Sequence, residues 1–316
     1  MEAGNPPSHP VDRLLSTSRA NPLADIVESR SQAWLDRHRL VDGHPSGRRV
    51  RDSQMGKAVS RLYPDAGIDL LQLASDFITW LTAFDDLHVE APEAGTAALA
   101  PRIAAFLRVL HSETTSAPGC PFESALAELS ARMGDVLDAV AAARVVAALH
   151  DTFLGMLWET TVRHRRISLT EYETMRPYTI FGHVAISFIA PCAGLDLPPA
   201  AYESAPIRQL NSGFALWFGF ANDLRTFRHE QQLGISTVSL PTVIAQERGC
   251  SLDDALAEAS RRCARELDAV RRLVTELSAS SAAHLPPYAA ALATAYSGTE
   301  QVYRTFTQRY GSEDGS

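Results

Sequence analysis

Residues 214–230 read FALWFGFANDLRTFRHE, and the stretch changes character halfway along. Its first half is almost entirely apolar, whereas its second half places Asn222, Thr226 and Glu230 at intervals of four residues. On an α-helix, residues four and eight positions apart lie on one face. The stretch therefore predicts a long apolar helix that ends in a row of oxygen-bearing side chains, about 12 Å long at ~1.5 Å per residue.

This row offers an amide oxygen from Asn222, a hydroxyl from Thr226 and a carboxylate from Glu230. Because helical side chains lean toward the N-terminus, the long Glu230 side chain can reach back toward the other two. Hard oxygen ligands of this kind suit Mg²⁺ better than zinc or copper. A solvated helix face carries similar residues, so the metal interpretation requires a second group of ligands elsewhere in the chain.

A second group of acids ends another apolar stretch, where residues 85–90 read DDLHVE. Asp85 and Asp86 lie at the negative end of the predicted helix dipole, which disfavours each carboxylate by about 0.3–1 kcal/mol. The two neighbouring carboxylates also repel each other. A bound divalent cation removes both penalties. An exposed acidic helix end is the alternative, but the preceding residues 80–84, WLTAF, are too apolar for it.

The two groups of ligands lie 137 residues apart, each at the end of a long apolar helix. If both helices face one cavity, metal ligands line its mouth and apolar side chains line its floor. Magnesium ions at the mouth bind a diphosphate, and an apolar floor binds a hydrocarbon. The ligand with both properties is a prenyl diphosphate.

The rest of the chain shows helical periodicity and no alternating strand pattern of useful length. We expect an all-α bundle with a buried central layer over residues 21–310, flanked by a disordered tail at 1–20 and a polar tail at 311–316. Pro177 and Gly182 predict a break between Arg176 and His183. The predicted helices span residues 22–39, 48–62, 68–87, 95–112, 122–141, 142–164, a short segment capped by Ser168, 184–192, the helix with 214–230, 241–248, 252–278 and 288–310.

The composition limits the function classes. The 316 residues carry a net charge of −8, which argues against nucleic acid or an anionic membrane as partners. No apolar run approaches 18 residues and no signal peptide is recognisable, so we expect neither a membrane span nor secretion. Four scattered cysteines without metal-ligand spacing fit reduced thiols in a cytoplasm.

Taken together, these motifs resemble those of bacterial class I terpene synthases. DDLHVE at 85–90 is similar to the family's aspartate-rich motif, with Glu90 as the third acid, because the usual position 89 is a valine. NDLRTFRHE at 222–230 is similar to the second metal motif, Asn-Asp-Leu-x-Ser/Thr-x-x-x-Glu. Arg176 precedes Asn222 by 46 residues, where the family carries its diphosphate-sensing arginine, and Arg309-Tyr310 matches a pair near the C-terminus. The resemblance runs from about residue 22 to 310.

The resemblance implies a single-domain class I terpene synthase bundle around a central apolar cavity. It implies three Mg²⁺ ions around the diphosphate, two held by the aspartate-rich motif and one by the second motif. The implied metal ligands are Asp85, Asp86, Glu90, Asn222, Thr226 and Glu230, with Asp86 secondary to Asp85. The implied diphosphate donors are Arg176, Arg309 and Tyr310, with charge from Arg228.

The same resemblance implies that the allylic diphosphate ionises and the resulting carbocation cyclises in a dry cavity. Aromatic faces stabilise such a cation by up to about 2 kcal/mol when desolvated. We select Phe84, Phe214 and Trp217, with Phe77, as lining residues, and Gly182 as the place where a broken helix brings its backbone into the site. The wider set of aromatic candidates comprises Trp80, Phe153, Trp158 and Phe218, any of which can equally be core.

Two other functions stay open on the sequence alone. A chain-elongating prenyltransferase shares the bundle and the metals, but it needs a second aspartate-rich motif in place of residues 222–230. An inactive helical module that binds a lipid or a partner does not need all four polar motifs. Farnesyl diphosphate, a C15 compound, is the expected substrate because it is the most frequent one in the bacterial family. Residues 302–310 are similar to those of bacterial kaurene synthases, so geranylgeranyl and bicyclic C20 diphosphates are alternative substrates. A homodimer is plausible.

Overall fold

The structure is a computed structural model that describes residues 19–91, 95–111, 120–163, 165–233 and 238–305, apart from the side chains at 229, 230, 232 and 233. Within these ranges every regular element is a helix and no strand occurs, which confirms the all-α prediction. In chain order the helices are α1 (Ala24–Arg37), α2 (Gly47–Asp52), α3 (Met55–Leu62), α4 (Ile68–Phe84), α5 (Thr96–His111), α6 (Pro121–Val136), α7 (Ala139–Val162), α8 (Leu169–Thr179), α9 (Gly182–Cys192), α10 (Pro199–Tyr202), α11 (Ala205–Leu233), α12 (Leu240–Arg248), α13 (Leu252–Ser278) and α14 (Leu285–Thr305).

Helix α9 lies at the centre of the bundle. Nearly all of its side chains are buried, among them Val184, Ile186, Phe188 and Ile189. A helix that is apolar on every side must be surrounded, and α9 packs against α4, α7, α8, α11 and α14. The two helices that end in the predicted metal ligands, α4 and α11, are therefore both neighbours of one central helix.

Side-chain caps fix several helix starts. The Ser168 hydroxyl accepts a hydrogen bond from the backbone N–H of Glu171, as the predicted capping box requires. Ser251 caps α13 in the same way, and that helix spans Leu252–Ser278, as predicted. Each cap satisfies a backbone donor that the first helical turn leaves without a partner.

Two predicted boundaries were wrong. Residues 48–62 form two helices instead of one, because Gln54 adopts a left-handed conformation with φ 48° that no helix continues through. The boundary between α6 and α7 falls at Leu137 and Asp138, where the Asp138 carboxylate caps the new helix at Ala141. A glycine or proline, which would signal either break, is absent from both places.

The predicted break between Arg176 and His183 is confirmed. Helix α8 ends at Thr179 and α9 begins at Gly182. Between them, Phe181 takes φ 58°, a conformation that costs a bulky residue roughly 1–3 kcal/mol and clusters at functional sites. The chain therefore turns sharply in the middle of the bundle.

Among the described helices, α7 alone is long and apolar enough to cross a membrane by length and composition, with a mean hydropathy of 1.4 over its 18-residue window. In this fold 44% of that window is buried, and α7 packs against α5, α8 and α9. The core helix of a bundle passes the same test, so α7 is weak support for a membrane span.

Candidate active site

The aspartate-rich segment forms a π-helical turn, Asp85–Val89, at the end of α4. The backbone N–H of Glu90 donates to the carbonyl oxygen of Asp85 at 2.9 Å, five residues back. This wider turn brings ligand atoms of Asp85, Asp86 and Glu90 within 4.8 Å of one another, while Val89 is fully buried. The π-turn thus explains in physical terms why the third acid stands at 90 and not at 89.

An arginine from outside either motif contacts these acids. Arg49 on α2 places its Nη2 atom 2.8 Å from Asp86 Oδ1, and the same nitrogen contacts Glu90 Oε2. The Asp86 side chain has 0% exposure and that of Glu90 has 15%. Asp86 is therefore anchored inside the protein, which agrees with a secondary role behind the partly exposed Asp85.

Arg163, at the end of α7, fixes the chain that leaves the π-turn. Its guanidinium donates to the carbonyl oxygen of Ala91 at 2.7 Å and to that of Val89. Two backbone acceptors on one guanidinium hold the segment in a defined orientation. The acid cluster is thereby tied to α7 as well as to α4.

The second motif lies on α11 as a row. Thr226 is buried and donates its hydroxyl hydrogen to the Asn222 carbonyl oxygen at 3.1 Å. The Asn222 side-chain oxygen accepts a hydrogen bond of 3.0 Å from Arg176 Nη2. Glu230 belongs to the same helix, but its side chain lies outside the described residues.

Asp223, the neighbour of Asn222, is buried on α11 and connects this helix to α8 and α12 through hydrogen bonds. Its carboxylate accepts hydrogen bonds from the Tyr172 hydroxyl on α8, from Arg176 Nη2 at 2.6 Å and from the backbone N–H of Leu240 at the start of α12. Burial and the nearby Asp223 charge raise the Tyr172 pKa well above its usual value, so the phenol stays a donor. Asp223 therefore fixes the position of the predicted diphosphate-sensing arginine.

Gly219 makes room for that arginine. A Cβ atom at this position would lie 2.5 Å from Arg176 Cγ. Arg176 also donates from Nη1 to the Thr179 hydroxyl at 2.9 Å. The aliphatic part of Arg176 thus packs on Gly219, and its guanidinium reaches Asn222, the first residue of the row on α11.

Charged residues of both motifs affect the pKa of one carboxyl group, that of Glu159 on α7. Burial, and after it the negative charge of Glu90, raise its pKa to about 7 against the opposing effect of Arg176 and Arg163. A single group is affected by Glu90 of the first motif and by Arg176 and Asp223 of the second. Residues of both motifs therefore lie close to this part of α7.

We expect Glu159→Gln to raise the melting temperature at pH 8 and to have little effect at pH 5, both in EDTA. The folded-state pKa, about 7, exceeds the ordinary value of 4.5, so the native state binds the proton more tightly. Wild-type stability therefore falls as pH rises from 4.5 through 7, and a permanently neutral amide avoids this loss. Glu276→Gln, on the exposed face of α13, is the control, and an equal shift at both pH values would contradict the assignment.

An apolar cavity of about 100 Å³ lies at the junction of α3, α4, α11, α14 and the α8–α9 break. On α4 it is lined by Ile78 and Thr82, and on α11 by Phe218. The lining residues are Met55, Ala58, Val59, Leu62, Ile78, Thr82, Ile180, Phe181, Ala185, Phe218, Thr299, Val302 and Tyr303.

Helical spacing connects this lining to the metal ligands. Residues 78, 82 and 86 are four apart on α4 and the π-turn, and residues 218, 222 and 226 are four apart on α11. Each set occupies one helix face. Asp86 and the Asn222–Thr226 row therefore continue the helix faces whose earlier residues line this cavity, which supports the predicted arrangement of polar mouth and apolar floor.

The selected aromatic residues lie elsewhere in the core. Phe77 packs against Phe188, and the Phe84 ring lies 5.7 Å from that of Trp80, within a cluster that also holds Phe106, Phe122 and Phe153. These side chains point off the 78–82–86 face, so they do not line the cavity described above.

On α11, Phe214 and Trp217 pack against Tyr296, with ring centroids 4.7 Å and 4.4 Å apart. Neither lines the described cavity, whereas the neighbouring Phe218 does. Phe218 was among the wider aromatic candidates. The helix face, more than residue type, decides which aromatic ring borders the cavity.

The remaining predicted residues are placed as follows. Gly182 is the first residue of α9, directly after the break whose residues Ile180 and Phe181 line the cavity. Arg228 is exposed on α11. Arg309 and Tyr310 lie outside the described residues.

Sequence reasoning assigned no role to Arg49, Glu159 or Asp223. Arg49 belongs to a basic run in a short helix, a pattern that is typical of a solvent-exposed surface. Glu159 ends an apolar helix, the same signal that selected Asp85. Asp223 lies inside the second motif, but its contacts with α8 and α12 depend on tertiary packing.

The donor set fits magnesium. Every candidate ligand offers oxygen, and three acids of the first motif converge within 4.8 Å. No cysteine or histidine belongs to that cluster, which disfavours zinc.

The chain is similar to known proteins over most of its length. The family model described as "Terpene synthase family 2, C-terminal metal binding" matches residues 76–269, which include both motifs. Helices α2 and α14, which contribute residues near the site, lie outside this range. A labda-7,13(16),14-triene synthase of Streptomyces clavuligerus is 47% identical over 293 residues, covering 92% of this chain and 85% of the relative. A (12E)-labda-8(17),12,14-triene synthase of Streptomyces anulatus is 31% identical, covering 87% and 88%.

Among solved structures, 2-methylisoborneol synthase from Streptomyces coelicolor A3(2), in complex with Mg²⁺ and 2-fluoroneryl diphosphate, has a TM-score of 0.82. The alignment covers 98% of this chain and 99% of that one at 18% identity, so it shows the shared fold.

Proposed function

The chain belongs to the terpene synthase family, and from this premise we propose that its substrate is a bicyclic C20 diphosphate of the labdane type. It is a Mg²⁺-dependent class I terpene synthase, and neither a prenyltransferase nor an inactive module is supported. The observation that carries the substrate proposal is the 47% identity to a labdatriene synthase across 92% of the chain. The 31% identical relative also forms a labdatriene.

The chemistry of a labdatriene fits the residues present. A bicyclic C20 allylic diphosphate loses diphosphate when its C–O bond breaks and the electron pair leaves with oxygen. The allylic cation then loses a proton from a neighbouring carbon, and the C–H electron pair becomes the third double bond. The 316 residues contain no Asp-x-Asp-Asp run for ring formation by protonation, so we expect the two rings to be present in the substrate.

The polar mouth supports the first step. Asp85, Asp86, Glu90, Asn222, Thr226 and Glu230 would hold the ions, three in number by the resemblance. When bound, Mg²⁺ neutralises the departing diphosphate. Arg176, which Asp223 holds in place, donates to phosphate oxygens bidentately. We assign the same role to Arg309, and to Tyr310 that of a single hydroxyl donor.

The apolar floor supports the second step. Side chains from α3, α4 and α14 exclude water, which would otherwise quench the cation. Phe218 and Tyr303 present aromatic rings there and stabilise positive charge by up to about 2 kcal/mol. The cavity of about 100 Å³ is smaller than the roughly 300–1,000 Å³ of typical ligand pockets, so binding requires the lining to move. The flexible Met55 is the side chain best suited to give way.

The test is a substrate panel. The purified protein is incubated with Mg²⁺ and, separately, farnesyl, geranylgeranyl and bicyclic labdadienyl diphosphates, and hexane extracts are analysed by gas chromatography and mass spectrometry. We expect a labdatriene from the bicyclic substrate, with kcat/KM at least about tenfold above the other two. EDTA is the control for metal dependence. Turnover of farnesyl diphosphate with none of the bicyclic substrate would contradict the proposal.

A further inference from the structure

The acid cluster at the end of α4 is bridged by a cation of the protein itself. One nitrogen of Arg49, Nη2, contacts both Asp86 and Glu90. The Arg49 side chain is 28% exposed, so most of it is shielded from water. Its charge reduces the formal charge of the three-carboxylate cluster from −3 to −2.

Backbone packing holds this arginine in place. Helix α2 begins at Gly47, where a Cβ atom would lie 2.8 Å from the carbonyl oxygen of Val41, and α2 packs against α4. Three carboxylates within 4.8 Å repel one another strongly unless a cation lies among them. Arg49 supplies that cation from a fixed position.

We propose that Arg49 is a positioning residue that occupies Asp86 and Glu90 in the resting enzyme, so that this set of ligands takes up its divalent cation together with the diphosphate and not before it. The inference concerns the metal ligands and holds for any chain length of substrate.

A divalent ion that arrives alone meets two carboxylates already bound to a guanidinium and is repelled by that guanidinium's charge. A diphosphate changes this balance, because it brings oxygen ligands for the ion and negative charge that a guanidinium binds well. Metal uptake then follows substrate uptake, which keeps the resting site from accumulating ions.

The test measures Mn²⁺ binding to the full-length protein by electron paramagnetic resonance without diphosphate. We expect Arg49→Gln to bind Mn²⁺ at least about tenfold more tightly than wild type, the lower limit for removing one unit charge some 6 Å from a divalent ion in water. The matched control is Arg48→Gln, which makes the same change at an exposed neighbouring position. Equal affinity in wild type and both variants would overturn the proposal.

Thermal unfolding gives a second readout. Mg²⁺ alone is expected to leave the wild-type melting temperature nearly unchanged and to raise that of Arg49→Gln, because a ligand stabilises in proportion to its occupancy of the native state. A large Mg²⁺ shift in wild type without diphosphate would also overturn the proposal.

A further pair of variants covers the case in which Arg49→Gln does not fold. Asp86→Asn leaves Arg49 on Glu90, and the double variant Arg49→Gln/Asp86→Asn differs from it only by releasing Glu90. The double variant should bind Mn²⁺ at least about tenfold more tightly than Asp86→Asn. No difference between the two would refute the role of Arg49, whatever the substrate panel shows.

Discussion

Asp85→Ala is expected to lower kcat/KM by at least about 10²–10³-fold, because it removes a ligand of the ions that stabilise the departing diphosphate. Asp86 and Glu90 occupy their own positions in the acid cluster, so they cannot replace the missing carboxylate. Asp85 is partly exposed at the end of α4, and its loss should leave the fold intact. The measurement is steady-state diphosphate release in Mg²⁺, with circular dichroism to verify helicity.

The control for this variant lies on the same helix. Asp69→Ala makes the same substitution at an exposed position in the first turn of α4, about 24 Å away along the helix axis at ~1.5 Å per residue. Its turnover should match wild type. We expect Asn222→Ala to behave like Asp85→Ala, since we propose Asn222 as the amide ligand of the second motif. Near-normal turnover in both Asp85→Ala and Asn222→Ala would remove the metal assignment.

The second large effect is expected for Asp223→Ala. This carboxylate is 2% exposed and neutralises the guanidinium of Arg176, whose side chain is 12% exposed. Removing one partner of a buried ion pair typically costs about 3–5 kcal/mol of unfolding free energy, because the other charge is left without compensation. Turnover should fall as well, since Arg176 loses the contact that positions it for the diphosphate.

Urea unfolding, read by far-ultraviolet circular dichroism, measures the loss of stability. Tyr172→Phe is the matched control, because it removes one hydrogen bond to the same carboxylate and should cost only about 1 kcal/mol. If Asp223→Ala unfolds no more easily than Tyr172→Phe, the Asp223–Arg176 ion pair does not stabilise the fold as we expect. Asp223→Asn keeps the side-chain shape and separates the loss of charge from the loss of volume.

The fold was predictable because its signals are local. Apolar runs define α4, α9 and the first half of the 214–230 stretch of α11, and a charged amphipathic pattern defines α13. The caps at Ser168 and Ser251 mark two helix starts. The predicted helix over residues 48–62 missed the break at Gln54, because a glutamine rarely adopts the left-handed conformation that ends a helix there. Local sequence does not show such a turn, because tertiary packing of α2 and α3 stabilises it.

The site was predictable in part for the same reason. Asp85, Asn222 and Arg176 follow from motifs and their spacing, and the structure brings Arg176 to Asn222. The cavity lining was harder to predict, because a ring such as Phe84 and a small side chain such as Thr82 differ only in the face they occupy. Arg49 reaches the acids from another helix, and that juxtaposition is invisible in a linear sequence.

The continuous faces on α4 and α11 have a practical consequence. In the proposed site, position along each helix separates two roles: Ile78 and Phe218 border the apolar cavity, whereas Asp86 and Asn222 lie further along, among the proposed metal ligands. Substitutions intended to change the product can therefore be confined to positions such as Ile78 and Phe218. The departure of the diphosphate should then be unaffected. We therefore expect substitutions one or two helical turns before the proposed metal ligands to change the product without changing the rate of diphosphate release.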